Sequence, residues 1–264
     1  MRGMRGLKIF ALMILATGIG VMTYAGQQLL ETNRMFREGN SVYDELNTYA
    51  KTRTTGTMES VSYTLPEDLD VEPQTDAIEN IIDFKVLELI NSDAAAWLYS
   101  PGTVIDYPVM RADDYSYYLN HLPNGTVNAN GSLFIDYNHE PDFSGRMTVI
   151  YGHHMKSGAM FGSLVGYKEQ KYYDEHPYML LYTAQGSYRA DILYGFVIDA
   201  GQWSEQAFMY EENFDELLRY AAQNTTFKSE TAYNKDDRFL VLSTCSYEFD
   251  DARYAIIATL TQLT

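Results

Sequence analysis

The chain has 264 residues, with 36 acidic side chains against 19 basic ones and a formal net charge of −17. That balance excludes the basic face nucleic-acid binding requires, and 46% hydrophobic with 21% charged residues excludes wholesale disorder. The lone cysteine, Cys245, excludes an intrachain disulfide and zinc or iron–sulfur sites built on several thiolates.

The first 25 residues differ from the rest. Arg2, Arg5 and Lys8 precede an uncharged run, Ile9–Ala25. Its seventeen residues make about 25 Å of helix, the short end of what spans a bilayer. Basic residues before the run place the N-terminus in the cytoplasm and the body outside. A cleaved signal peptide competes with this reading, since Thr23 and Ala25 are small residues suited to a cleavage site; a buried core helix is the third alternative. The expected division is 1–8 as a basic tail, 9–25 as a membrane anchor, 26–75 as an external helix and linker, and 76–264 as one catalytic domain.

Gln27–Lys51 has loosely helical apolar spacing with a break near Gly39. Thr52–Gln74, rich in Thr, Ser, Glu and Asp with two prolines, reads as a linker. Asp76 and Glu79 open a helix over about 76–90, with Ile78, Ile82, Val86 and Leu89 on one face. After Asn91 the texture turns to short β-type runs: Ala95–Tyr99, Ile105–Val109, Gly131–Asp136, Met147–Tyr151, Met179–Tyr182, Ser187–Ile198, Arg238–Cys245 and Tyr254–Leu260. Eight such runs separated by turn residues predict a closed barrel or a sandwich. Two helical insertions interrupt them, Tyr167–Glu175 and Asn213–Gln223.

Cys245 closes the apolar run that starts at Phe239. A small buried hydrophobe is one reading of it. The other is a nucleophile, because an idle thiol in an exported chain is an oxidation liability and strand ends meet solvent. Arg253 opens the next strand after a short connection. An antiparallel pair would bring Cys245 and Arg253 together, where a guanidinium favours thiolate and can donate to an oxyanion. A surface ion pair with Asp250 or Asp251 is the alternative for Arg253. A thiol nucleophile needs a proton-transfer partner, which histidine supplies near neutral pH. His153 and His154 follow the strand Thr148–Tyr151, and alternation lets only one of them face the site. No third ligand stands at a recognisable metal spacing, and His121, His139 and His176 read as solvated.

Tyr151-Gly152-His153-His154-Met155 is similar to the histidine motif of class B sortases, and Leu242-Ser243-Thr244-Cys245 to their cysteine signature, with Val241 where the family often has Thr. Arg253 stands at the family's short spacing after the cysteine. Trp97-Leu98, Pro101–Val109, Tyr117–His121 and Gly131–Tyr137 resemble the family's earlier segments, so the resemblance covers about 75–264. It implies a mainly β fold with added helices (α+β): a closed eight-stranded sortase-type barrel with an N-terminal helical appendage. It also implies a cell-surface cysteine transpeptidase of a Gram-positive bacterium. Such an enzyme cuts a sorting signal of an exported surface protein, holds the acyl part on Cys245 as a thioester, and passes it to an amine of the peptidoglycan cross-bridge or of a pilin. The resemblance gives His153 the acid/base role, Arg253 the positioning and oxyanion role, and Ser243, Thr244 and Leu119 the lining of the substrate groove. It carries over no metal and no cofactor.

Two rivals remain. Papain-type hydrolases place cysteine before histidine, and L,D-transpeptidases place glycine before the cysteine, where this chain has Thr244; neither order fits. A non-enzymatic, membrane-anchored acidic binding domain would leave Cys245 buried and unreactive.

Overall fold

The computed structural model describes residues 2–51 and 81–263, with side chains from Met13 on. The linker expected over Thr52–Gln74 lies outside the described residues, as do 76–80 of the helix expected over 76–90; residues 81–83 are not helical and the helix begins at Phe84, where Asp83 caps it by accepting from Lys85 N and Val86 N. Eight strands, β1 (Ala94–Tyr99), β2 (Asp106–Arg111), β3 (Leu133–Ile135), β4 (Met147–Tyr151), β5 (Tyr178–Thr183), β6 (Gly186–Asp199), β7 (Arg238–Cys245) and β8 (Ala252–Gln262), close a barrel in the order β1-β2-β3-β4-β7-β8-β6-β5. The pairs β2/β3 and β4/β7 are parallel and the rest antiparallel. Every run read as a strand lies in this barrel, which is the mainly β architecture expected. β3 is shorter than its predicted run because Ser132 is bound by the preceding loop: its N–H donates to Tyr118 O and its hydroxyl to His121 O.

The barrel strands are buried on both faces. In β7, Leu240 and Leu242 belong to one apolar cluster with Trp97, Leu181 and Ile256. Phe239 and Val241 belong to a second with Val149, Ile257, Phe214 and Leu217. Side chains alternate along a strand, so the second cluster is the outer face, roofed by helices α4 (Ala200–Glu205) and α5 (Phe214–Asn224). A strand covered on both faces reads as a continuous apolar run.

The remaining helices are α1 (Arg2–Ala50), α2 (Phe84–Ile90) and α3 (Gln170–Glu175), with a 3-10 turn at Gly162–Lys168 before α3. The insertion expected as one helix over Tyr167–Glu175 is therefore two pieces, because Glu169 is extended at φ −107°, ψ 128°. Helix α4 has no counterpart in the sequence reading. Asp199 caps it, accepting from Gln202 N at 3.0 Å, while Gly201 within it masks the helical pattern.

The break expected near Gly39 does not occur, and α1 runs through it. A lone glycine costs a helix only about 1 kcal/mol. Here it serves contact, since a Cβ on Gly39 would stand 2.4 Å from Asn130 Nδ2 and 2.9 Å from Asn128 Oδ1. The same face of α1 buries Tyr43, Leu46 and Ala50 in the inner cluster. Tyr43 donates its hydroxyl to Gly131 O, and Lys51 pairs with Asp106. The run Ile9–Ala25 lies in α1, and its first residues fall outside those whose side chains are described. Among the described residues no helix is long and apolar enough to cross a membrane.

Candidate active site

Strands β4 and β7 run side by side in parallel, with Tyr151 level with Ser243. Two residues on, the chain carries His153 from one and Cys245 from the other, on the outer face shared by Val149, Tyr151 and Val241. Between them lies Gly152. Its N–H donates to Ser243 O at 3.3 Å, and its carbonyl accepts from Thr244 Oγ1 at 2.8 Å. A Cβ there would meet Leu133 Cδ2 at 2.4 Å and Phe161 Cδ2 at 2.7 Å, so glycine alone lets the chain pass.

Cys245 is exposed, which removes the reading of it as a buried hydrophobe. It pairs directly with Arg253 across β7 and β8, so both side chains rise on the same face. Arg253 forms no ion pair with Asp250 or Asp251, and its Nε is buried without a hydrogen-bond partner. A buried, unpaired donor is costly to keep, of order 1–3 kcal/mol, and is satisfied by anything that brings an acceptor.

The two adjacent histidines are separated by geometry. His153 Nε2 lies 2.7 Å from Leu119 O. A carbonyl can only accept, so the proton sits on Nε2, and the neutral ring keeps its lone pair on Nδ1. His154 turns the other way: its Nδ1 donates to Cys245 O at 2.7 Å, and its ring packs on Tyr247 with centroids 4.7 Å apart.

One groove of about 340 Å³ takes in Cys245, His153, Arg253, Ser243, Thr244 and Leu119 together. All six residues expected at the site are thus brought together. Ser243 is 1% exposed and its hydroxyl has no partner. The Thr244 hydroxyl is engaged by Gly152, so Thr244 offers the groove its backbone. Leu119 contributes the carbonyl that fixes the His153 tautomer as well as its side chain.

Sequence reasoning missed the rest of the lining: Tyr115, Phe134, Tyr151, Trp203, Ser204 and Met209. Tyr151 stood inside the histidine motif and pointed, by period two, to the same face as His153. Trp203, Ser204 and Met209 come from α4 and the turn after it, which no local pattern announced. Burial, reinforced by the Asp136 charge, pushes the Tyr115 and Tyr151 hydroxyls well above the ordinary tyrosine range. Among the described residues no group of three or more His, Cys, Asp or Glu side chains could hold a metal ion.

An exposed thiol, an imidazole with one ring nitrogen uncommitted and an arginine whose Nε lacks a partner, all lining one groove, make a site suited to nucleophilic acyl chemistry. No protein-family model matches this chain. It is 31% identical over 170 residues to Sortase B of Listeria monocytogenes, covering 64% of this chain and 69% of that protein. The solved structure of Clostridium perfringens sortase B superposes with a TM-score of 0.62 at 28% identity, over 67% of this chain and 99% of that one. A Streptococcus pyogenes class B sortase involved in pilus biogenesis superposes with a TM-score of 0.61 at 28% identity, over 67% of this chain and 97% of that one. Fold and comparisons thus define an enzyme of the sortase class, built on a sortase barrel. The chain belongs to the class B sortases and, with them, to the sortase transpeptidases.

Proposed function

We propose that this protein cleaves the sorting signal of an exported protein and transfers the new acyl end to a primary amine through a thioester on Cys245. His153 takes the thiol proton, and the Cys245 sulfur attacks the scissile carbonyl. Arg253 donates to the oxygen as it becomes an oxyanion. Collapse breaks the C–N bond, the leaving amine takes its proton from His153, and the acyl group stays on sulfur. An incoming amine gives up a proton to His153, attacks the thioester carbonyl and expels the Cys245 thiolate. Ser243, with its buried free hydroxyl, and Leu119 hold the donor peptide.

The observation that carries this reading is the convergence of Cys245, His153 and the unsatisfied Arg253 on one groove. The acceptor is an amine of the peptidoglycan cross-bridge or of a pilin. We further propose that the N-terminus is cytoplasmic and the barrel extracellular, on the strength of Arg2, Arg5 and Lys8 ahead of an uncharged run.

Mass spectrometry of the purified protein with a panel of candidate sorting peptides tests the reaction. An acyl adduct on Cys245 that is released by hydroxylamine, and is absent from Cys245→Ala, is expected. Peptide cleavage that persists in Cys245→Ala would end the reading.

A further inference from the structure

Behind the groove sits a carboxylate that the reaction does not use. Asp136, just past the end of β3, is fully buried. Among the described residues no lysine or arginine forms an ion pair with it. A buried carboxylate without a counter-charge persists only where hydrogen bonds satisfy it. Asn138 supplies two, from its backbone N–H and its Nδ2, both 2.9 Å from Oδ1. The others come from the groove itself. Tyr151 donates its hydroxyl to Oδ2 at 3.0 Å, and Tyr115 reaches both oxygens at 3.2 and 3.1 Å.

These two tyrosines lie on different segments, one ending β4 and the other in the β2–β3 connection. Both line the groove, with ring centroids 5.9 Å apart in an edge-to-face arrangement. Asn138 Nδ2 also donates to the Tyr115 hydroxyl at 2.9 Å. The hydroxyl protons are therefore turned away from the groove toward Asp136, and what a ligand meets is the rings. Tyr151 is also two residues before His153 on the same face.

We propose that Asp136 is a positioning residue for the transpeptidase groove: through the hydroxyls of Tyr151 and Tyr115 it holds two aromatic rings as a fixed wall beside Cys245. What the wall contacts rests on the transpeptidase reading; the fixing of the wall does not. Asp136→Asn isolates the effect. It keeps shape and one acceptor oxygen, but with Oδ1 still serving Asn138 it sets an NH₂ where Oδ2 accepted from both tyrosines. The tyrosine hydroxyls can then only accept from that NH₂, so their own protons lose the carboxylate and the charge-assisted bonds that anchored both rings are gone.

The test uses the full chain, whose only cysteine makes labelling unambiguous. Second-order rates of Cys245 alkylation are measured with iodoacetamide and with its N-benzyl derivative. The electrophile is the same, so the ratio of the two rates cancels thiol reactivity and reports how the groove receives a flat apolar group. Asp136→Asn is expected to lower the benzyl-to-parent ratio about threefold, with the iodoacetamide rate within about twofold of wild type. Tyr151→Phe, which removes only the donated hydroxyl, is expected to lower it in the same sense, and it carries the comparison if Asp136→Asn does not fold. An unchanged ratio in a folded variant, or a proportional fall of both rates, overturns the proposal. Neither result bears on whether a peptide acylates Cys245, so the two readings fail separately.

Discussion

At the scale of single residues, His153 and His154 divide the work by direction. His153 lines the groove with its Nε2 bound to the Leu119 carbonyl, whereas His154 spends its Nδ1 proton on the Cys245 carbonyl. Loss of a general acid/base costs about 10²–10⁴ in rate, and loss of one neutral hydrogen bond about fivefold to tenfold. His153→Ala is therefore expected to lower kcat/KM by at least about 10². His154→Ala should lose about tenfold or less, with His154→Asn, which keeps a donor, nearer wild type. Equal losses in His153→Ala and His154→Ala, both folded, would assign the acid/base wrongly.

Arg253 offers a second residue-scale test. Its Nε is buried without a partner, so charge alone does not describe its place. Arg253→Ala is expected to cost about 10²–10³ in turnover, the scale of one oxyanion donor. Arg253→Lys keeps the charge but lacks the planar fork and should recover little. A near-normal Arg253→Lys would mean that charge suffices. The double variant Asp250→Asn/Asp251→Asn should stay near wild type, since neither aspartate pairs with Arg253.

At the scale of elements, α1 is part of the barrel's packing, and Gly39 is where it comes closest. Alanine normally gains about 1 kcal/mol over glycine in a helix. At Gly39 the added carbon would overlap Asn130 and Asn128. Gly39→Ala is expected to be destabilising by about 1–3 kcal/mol, read from the midpoint of urea unfolding. Gly26→Ala, where nothing lies within 4 Å of the new carbon, is the control and should cost nothing.

The β7–β8 connection is held by a second device. Lys168, at the end of the 3-10 turn, pairs with Glu248 and donates to Ser246 Oγ at 2.9 Å, and Ser246 donates to Glu248. Ser246 is the residue after Cys245. Burial works to raise the Glu248 carboxyl, but the hydrogen bonds from Lys168 and Ser246 together outweigh it and hold the group below its ordinary value of 4.5. A carboxyl depressed in the folded state stabilises fully above its unfolded value and loses that contribution as pH falls through the lower folded one. Glu248→Gln should accordingly melt below wild type at pH 7. The gap in Tm should close as pH drops below 4.5. A gap that stays constant through that range would mean the ion pair contributes nothing.

For the whole molecule, the charge asymmetry between the first eight residues and the strongly acidic remainder sets the proposed orientation. Protease added to intact protoplasts of a Gram-positive host should remove the barrel while leaving an N-terminal epitope protected. Complete protection of the barrel would put it on the side where no exported substrate reaches it.

The sequence by itself determined the strands and which residues would gather at the candidate site. Burial on both faces writes an apolar run at the place where each strand lies, and the histidine and cysteine motifs each end a strand. Strand alternation allowed only one of the two adjacent histidines on the face of Cys245, and the motif resemblance chose His153. A seven-residue connection between Cys245 and Arg253 was enough to place them opposite each other. What only the tertiary structure decided is whatever depends on segments far apart in the chain. Gly39 carries no sign that two asparagines some ninety residues later will press against it. Trp203 and Met209 reach the groove because α4 folds back over the outer face of the barrel, and a six-residue helix containing glycine has too little periodicity to announce that. Asp136 reads locally as no more than the polar end of the β-type run Gly131–Asp136. It becomes the anchor of the groove wall only when barrel closure brings Tyr115, Asn138 and Tyr151 around it, because hydrogen-bond partners are chosen by distance in space and side-chain patterning records only distance along the chain.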